Sequence, residues 1–292
     1  MTTLKLHARS VISVALGLLL LTTSSAGSPQ WAPLVMAMAL LVGLPHGALD
    51  HQVAAQRWAS WRGGWGQVAF HTTYLMLCGM VVMLWWLVPL AALLLFLAAS
   101  AWHFGESDLL HLPECSTATV VSRGLLLIAA PLLAWPETSS ASLSGLSQGV
   151  FLSIPQWFGM LLAISIAALH QWHLQDAPRS DRYAALALSV LLIGGGPLFG
   201  LGLYFCLWHT PDHFRQLAHT LSCNPGRLAR AALPRTLGAI ALLLVGAWLT
   251  TPELWLTVII QLTAALTIPH ALVVHFGWSP RENHQPMVAV VD

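Results

Sequence analysis

Charged residues are scarce in this chain of 292 residues: Lys and Arg number 12, Asp and Glu number 11, and together they make up 8% of the sequence. A soluble globule of this size needs more charge to cover its surface, which argues against a soluble protein. The formal net charge of +1 gives no electrostatic reason to expect nucleic acid as a partner. The four cysteines form no Cys-X-X-Cys pair, so neither a disulfide framework nor a thiolate zinc site is indicated.

Apolar residues dominate instead, at 57% of the sequence, and fall in runs that suit bilayer spans, since a spanning helix needs about 20 residues. The runs predict an all-α, polytopic membrane helical bundle of about 8–10 transmembrane helices, in a single domain covering residues 1–292. Boundaries at Pro89 and at residues 194–197 are weak, because a kink there would merge two runs. The ten runs are 11–27, 31–49, 67–87, 89–106, 121–136, 155–172, 184–200, 201–219, 236–251 and 254–276.

Basic residues predict the orientation of the bundle, because Lys and Arg collect in short cytoplasmic loops. With ten crossings and the N-terminus inside, all 12 Lys and Arg fall on the cytoplasmic side, including Arg123 and residues 227–235. The opposite loops contain the Ser-rich stretch 138–147. We therefore expect a multi-pass protein of the cell inner (plasma) membrane with both termini cytoplasmic.

The first run has a second interpretation. Basic residues before an apolar core, followed by small residues, also fit a signal peptide, so residues 1–27 are either the first span or a signal peptide. Cleavage would leave the later topology unchanged.

Histidine is the unusual residue, with 14 copies, and ionisable groups inside spans mark function by default. In the predicted topology, four groups lie in the inner halves of even-numbered spans, so they share one depth and resemble a site. The groups are His46, Asp50 and His51; His103, Glu106 and Asp108; His209, Asp212 and His213; and His270 with His275.

The spacing within these groups favours metal binding. His209 and His213 are four residues apart, so on a helix both imidazoles project from one face and can bind one ion; His46 and Asp50 have the same spacing. A carboxylate such as Asp50 could accept the second N–H of a ligand imidazole. Imidazole ligands suit iron, copper or zinc, and Fe(II) with open positions can bind O2. Three further carboxylates could support the ligands, relay protons or simply face solvent: those of Glu106, Asp108 and Asp212.

At these residues the sequence resembles the Brp/Blh family of bacterial and archaeal membrane β-carotene 15,15′-dioxygenases. Three sequence blocks show the resemblance. The match covers most of the chain, both in the pattern of spans and in the order of the motifs. The blocks are Pro45-His46-Gly47-Ala48-Leu49-Asp50-His51, Trp102-His103-Phe104-Gly105-Glu106-Ser107-Asp108 and Trp208-His209 through His213. The resemblance implies an oxidoreductase that uses non-haem Fe(II) and O2 to cleave the central double bond of β-carotene into two retinals, often to supply a microbial rhodopsin.

Residue by residue, the family's iron ligands fall on His46, His103, His209 and His213. Asp212 stands where the family pattern has Arg; this departure leaves both ligand imidazoles in place and argues against a role for a basic residue there. His270 is assigned to the pocket or to residues behind the ligands. Tyr204 and Trp208 are candidates for the wall of an apolar tunnel for β-carotene, which dissolves in the bilayer.

Two other functions fit parts of the pattern. A membrane hydroxylase or desaturase of the His-cluster type usually needs eight or more histidines with HxxHH groups, and HxxHH is absent. A metal-ion or proton transporter would distribute polar groups across the membrane, whereas the outer halves of these spans nearly lack them.

Overall fold

A computed structural model describes residues 3–23, 32–112, 115–147, 153–251 and 254–277. Within these ranges all regular structure is helical, with no strand. Short 3₁₀ and π-helical turns, Ala59–Trp61, Gly196–Gly200 and Phe205–His209, join some of the α-helices. The α-helices are α1 Thr3–Thr23, α2 Ala32–Gly47, α3 Asp50–Arg57, α4 Gly63–Leu87, α5 Pro89–Asp108, α6 Thr117–Ala134, α7 Pro136–Ser147, α8 Gln156–His173, α9 Arg179–Gly195, α10 Leu201–Tyr204, α11 Thr210–Thr220, α12 Pro225–Trp248 and α13 Trp255–Gly277.

The predicted all-α, polytopic membrane protein is confirmed. In the described part of the chain, six helical segments are long and apolar enough to cross a bilayer: α4, α5, α6, the run Arg179–Thr220, α12 and α13. The predicted runs in α1, α2 and α8 are also helical. The count of ten crossings and the cytoplasmic termini stay predictions.

The two weak boundaries differ in kind. At the first, α4 ends at Leu87 and α5 begins at Pro89, with Val88 alone between them. At the second, Gly196 has φ 70° and ψ −172°, a conformation that an L side chain rarely adopts. A Cβ on Gly195 would lie 2.8 Å from Cα of Gly200, so the chain bends sharply inside the long run.

Two stretches predicted as loops are helical instead. The Ser-rich stretch 138–147 belongs to α7, because Leu143 and Leu146 are buried and Ser139 donates to the Leu132 carbonyl at 2.9 Å. Arg227 and Arg230 lie in the first turns of α12, which Asn224 caps by accepting from the Gly226 N–H at 2.8 Å. The prediction of loops at these positions was wrong: Ser139 and Ser147 are buried within or at the end of α7, and Arg227 and Arg230 are exposed side chains on a helix.

The described residues group into two compact units. Unit 1 comprises Met1–Val42, Ala101–Ser144 and Val150–His209, and unit 2 comprises Gly43–Ser100, Gly145–Gly149 and Thr210–Asp292. The single domain covering 1–292 stays a prediction.

Glycines set the close packing that positions the polar residues of unit 1. A Cβ on Gly124 would overlap the carbonyl oxygen of Ala101, and one on Gly105 would overlap that of Val120. The end of α5 and the start of α6 therefore approach backbone to backbone, as small residues permit in membrane helices. This contact brings the last turn of α5, which ends at Asp108, beside Arg123 of α6.

Candidate metal centre

Unit 1 contains two buried imidazoles from the predicted set. His103 of α5 is 1% exposed and His209 is 2% exposed, and their ring centroids are 5.7 Å apart with the planes at 77°. Phe104 and Phe205 pack against the His209 ring, with centroids at 4.8 and 5.3 Å. Aromatic side chains thus screen this imidazole pair from water.

A buried carboxylate lies behind His209. Oδ2 of Asp108 accepts hydrogen bonds from Nη2 and Nε of Arg123 at 2.8 and 3.2 Å. Oδ1 accepts from the Tyr204 hydroxyl at 2.9 Å and lies 3.4 Å from Nδ1 of His209. A carboxylate at Nδ1 favours the tautomer that carries its proton there, which leaves Nε2 as the nitrogen for a metal.

The local helix geometry explains why Tyr204 and His209 reach the same carboxylate. The two positions are five apart in sequence, and on a regular α-helix they would lie on different faces. The turn Phe205–His209 is π-helical, with hydrogen bonds between residues five apart. That turn brings positions 204 and 209 onto one face, and the sequence alone does not show it.

Arg123 has a different place from the one predicted. It was expected at the cytoplasmic end of the run 121–136, but it lies nearly two turns inside α6, with its side chain 8% exposed. A buried guanidinium requires a counterion, and Asp108 provides it. Arg123 therefore does not report the orientation of the bundle, and Asp108 is a buried partner of Arg123 and His209 rather than a solvated residue.

Unit 2 contains a second carboxylate–imidazole pair. Asp50, at the start of α3, accepts from Nδ1 of His270 at 2.9 and 3.0 Å. The Tyr74 hydroxyl lies 3.1 Å from Oδ2 of Asp50 and 3.2 Å from the Leu266 carbonyl oxygen. The His270 ring faces His213 of α11, with centroids 5.3 Å apart. Asp50, His213 and His270 are all buried.

The expectation that His46 and Asp50 share one face of a helix does not hold. α2 ends at Gly47, residues 48 and 49 form a turn, and α3 begins at Asp50, so the two positions do not lie on one continuous helix. Pro45 in the last turn of α2 is consistent with this interruption. The side chain of His46 itself lies outside the described residues.

Burial shifts the pKa values of two side chains in α3, Asp50 and His51. It raises the pKa of the Asp50 carboxyl, although the contact with His270 acts in the opposite direction. Burial, with a smaller contribution from the positive charge of Arg235, lowers the pKa of His51 to about 3. His51 is therefore a neutral packing residue beside His71, whose ring centroid is 5.5 Å away.

The remaining predicted residues lie apart from these contacts. Asp212 forms an ion pair with Arg215 three residues later, and both side chains are more than 40% exposed. Glu106 is half-buried in α5. Trp208 donates from Nε1 to the Ser13 hydroxyl at 3.0 Å, which ties it to α1. His170 is a buried packing residue whose Nδ1 lies 3.0 Å from Ser122 Oγ.

The fold and these residues define an α-helical membrane protein whose buried imidazoles are backed by buried carboxylates. The sequence profile of the family described as beta-carotene 15,15′-dioxygenase matches residues 37–278. The chain belongs to this family, which confirms the resemblance seen in its motifs.

Two relatives show the extent of the similarity. The chain is 30% identical to the probable beta-carotene 15,15′-dioxygenase Blh of Halobacterium salinarum, over 84% of this chain and 83% of the relative. It is 26% identical to the beta-carotene 15,15′-dioxygenase of an uncultured marine bacterium, 66A03, over 85% of this chain and 94% of the relative. No solved structure matches the chain.

A dioxygenase family implies a metal cofactor. Among the residues that the structure describes, no group of three His, Cys, Asp or Glu side chains is arranged to hold a metal ion. The donor chemistry nevertheless fits. With a metal–nitrogen distance of about 2.1 Å, two imidazoles on one ion have ring centroids roughly 4.5–6.5 Å apart. The pair His103–His209, whose centroids are 5.7 Å apart, falls in that range.

Proposed function

We propose that this protein is a β-carotene 15,15′-dioxygenase that cleaves the central double bond of β-carotene with O2 to give two molecules of all-trans-retinal. The carbon–carbon double bond breaks and each carbon takes one oxygen atom, so O2 supplies both oxygens and no further reductant is required. Membership of the family, together with the buried imidazoles backed by Asp108 and Asp50, supports this reaction.

We propose Fe(II) as the metal and His46, His103, His209 and His213 as its ligands. Neutral imidazoles suit iron, and four of them leave two positions of an octahedral ion open. Bound iron would supply O2 activation, which the side chains of the chain do not provide. The assignment draws on the family motifs and on the deep burial of His103, His209 and His213.

The chain's own contribution is to orient and desolvate the imidazoles. Asp108 holds the Nδ1 proton of His209, while Arg123 and Tyr204 fix the position of that carboxylate. Asp50 holds the Nδ1 proton of His270, whose ring supports His213. Groups behind metal ligands set their tautomer and orientation and typically change metal affinity 10–100-fold when altered.

The membrane is the source of the substrate in this proposal. β-Carotene is a hydrocarbon that dissolves in the bilayer, so a membrane-embedded enzyme receives it laterally without extracting it into water. The location is the cell inner membrane with both termini cytoplasmic, and a retinal-binding rhodopsin is a natural consumer of the product.

Expression in cells that make β-carotene tests the reaction. We expect the cells to lose their yellow colour and to accumulate retinal, whereas the His103→Ala variant leaves the pigment intact because one imidazole is missing. Bleaching without retinal would indicate eccentric cleavage or general oxidation. Unchanged β-carotene beside a folded, iron-loaded protein would contradict the proposal.

Metal analysis tests the ligand assignment separately. We expect about one iron per purified chain, because four imidazoles suffice for one site. Stoichiometric iron retained after loss of both His209 and His213 would overturn the assignment. Bound zinc with no oxygen consumption would favour a transporter.

A further inference from the structure

Unit 2 contains a cavity of about 270 Å³ that has no role in the proposed metal centre. Its walls come from α3, the 3₁₀ turn Ala59–Trp61, α4 and α13. Aromatic rings form much of the wall: Trp58, Trp61, Phe70, Tyr74 and Phe276. No Asp, Glu, Lys, Arg or His is among its lining residues, so the cavity suits a hydrocarbon.

The cavity leads from the outer surface of unit 2 to a buried floor. Leu272 and Phe276 on α13 are 41% and 56% exposed and form part of its mouth. Ala54, Phe70 and Pro269 are buried and form its inner end. Because α13 is apolar and long enough to cross a bilayer, this mouth opens on a face suited to contact lipid.

The floor of the cavity adjoins the Asp50–His270 pair. The Tyr74 ring lines the cavity while its hydroxyl lies 3.1 Å from Oδ2 of Asp50. Pro269, also in the lining, directly precedes His270. A molecule that fills the cavity therefore ends against the side chains that support His270.

We propose that this cavity binds one trimethylcyclohexenyl end ring of β-carotene. The inference rests on the proposed function and extends it from the metal to the end of the substrate. The six ring carbons and three methyl carbons of this group fit the cavity volume of about 270 Å³, since one water-sized group occupies roughly 30 Å³ in a liquid. The rings of Trp61 and Phe70 meet edge to face at 5.7 Å, and those of Phe70 and Tyr74 are 5.7 Å apart, which forms a wall wide enough for a ring.

Equilibrium binding of β-ionone tests the proposal without any catalysis. β-Ionone carries the same ring, and its open-chain isomer pseudoionone has the same atoms without a ring. We expect the full-length protein in detergent to bind β-ionone about tenfold more tightly than pseudoionone, since shape differences in an apolar pocket produce such factors. Equal affinity would mean a groove for any alkyl chain, such as that of a lipid, and would overturn the proposal.

Paired variants on α4 locate the binding. Leu77 lines the cavity, whereas Leu75, two residues earlier, is 68% exposed and is not in the lining. We expect Leu77→Trp to weaken β-ionone binding about tenfold or more and Leu75→Trp to leave it unchanged. Leu272→Trp at the exposed mouth provides a second obstruction that does not disturb the buried floor, and we expect the same loss. Unchanged binding in both Leu77→Trp and Leu272→Trp would refute the site.

The same variants separate this inference from the proposed reaction. We expect Leu77→Trp to raise the KM for β-carotene and to keep its iron, because the cavity binds the substrate's end and no metal. Selective β-ionone binding in a protein that does not cleave β-carotene would leave the ring site standing and contradict the reaction. Cleavage with an unchanged KM in Leu77→Trp would contradict the ring site alone.

Discussion

The Tyr204 hydroxyl lies 3.4 Å from Nδ1 of His209, although the two positions are five apart in sequence. Both groups reach Oδ1 of Asp108 because the helix makes a π turn between them. π turns inside α-helices occur frequently at functional sites. Here the turn gives one proposed metal ligand a tyrosine and a carboxylate as neighbours.

Asp108→Asn should lower iron affinity about 10–100-fold, because the amide does not enforce the His209 tautomer. It also leaves Arg123 without its counterion, so we include the milder Tyr204→Phe, which keeps that ion pair and should give a smaller decrease. Iron content after dialysis against a graded chelator measures the effect. Asp212→Asn, which alters a half-exposed ion pair, is the control. Equal iron affinity in Asp108→Asn and the control would refute the role of Asp108.

The Asp50–His270 pair predicts a similar dependence in unit 2. Asp50→Asn should weaken iron retention by more than Tyr74→Phe does, since Asp50 contacts His270 directly and Tyr74 acts through Asp50. Both variants are compared by metal titration and by thermal unfolding of the metal-depleted protein. A loss confined to unfolding, with metal affinity unchanged, would mean that the pair stabilises the fold only.

Gly124→Ala should destabilise the protein. The added Cβ meets the Ala101 carbonyl, and overpacking of this kind costs about 1–3 kcal/mol. Gly79→Ala on α4 is the matched control, because nothing lies within 4 Å of its Cβ position. Denaturation in detergent compares the two. Equal free energies of unfolding for Gly124→Ala and Gly79→Ala would mean that the close approach of α5 and α6 does not contribute to stability.

The N-terminal helix should remain in the mature protein. Ser13 accepts a hydrogen bond from the buried Trp208, and the guanidinium of Arg9 lies 5.9 Å from the centroid of the Trp208 ring. A cleaved signal peptide would make no such contacts in the finished fold. Mass spectrometry of the intact purified chain decides the question, and a mature N-terminus near residue 27 would establish the signal-peptide interpretation.

The sequence predicted the helices well because runs of apolar residues report bilayer spans directly. It also singled out Asp50, Asp108 and His270 as candidates, since ionisable residues are rare in such runs. Their partners were harder to predict. The helical spacing of His46 and Asp50 assumed one continuous helix, whereas a turn at residues 48 and 49 interrupts it and Asp50 contacts His270, 220 positions away.

Two other features depend on packing between distant segments. Arg123 was counted among the cytoplasmic cations because Lys and Arg collect on that side of a membrane. The contact with Asp108, which offsets the cost of burying its charge, is not visible in the sequence. The ring-sized cavity is lined by residues of α3, α4 and α13, and the hydrophobic periodicity of a single segment does not predict such a cavity.

The most direct test of the central claim is the stoichiometry of the purified, iron-loaded protein with β-carotene under air. Cleavage at the central double bond predicts two retinals for each β-carotene and each O2 consumed, with no aldehyde of another length. Aldehydes of unequal length, or consumption of β-carotene without retinal, would contradict the account.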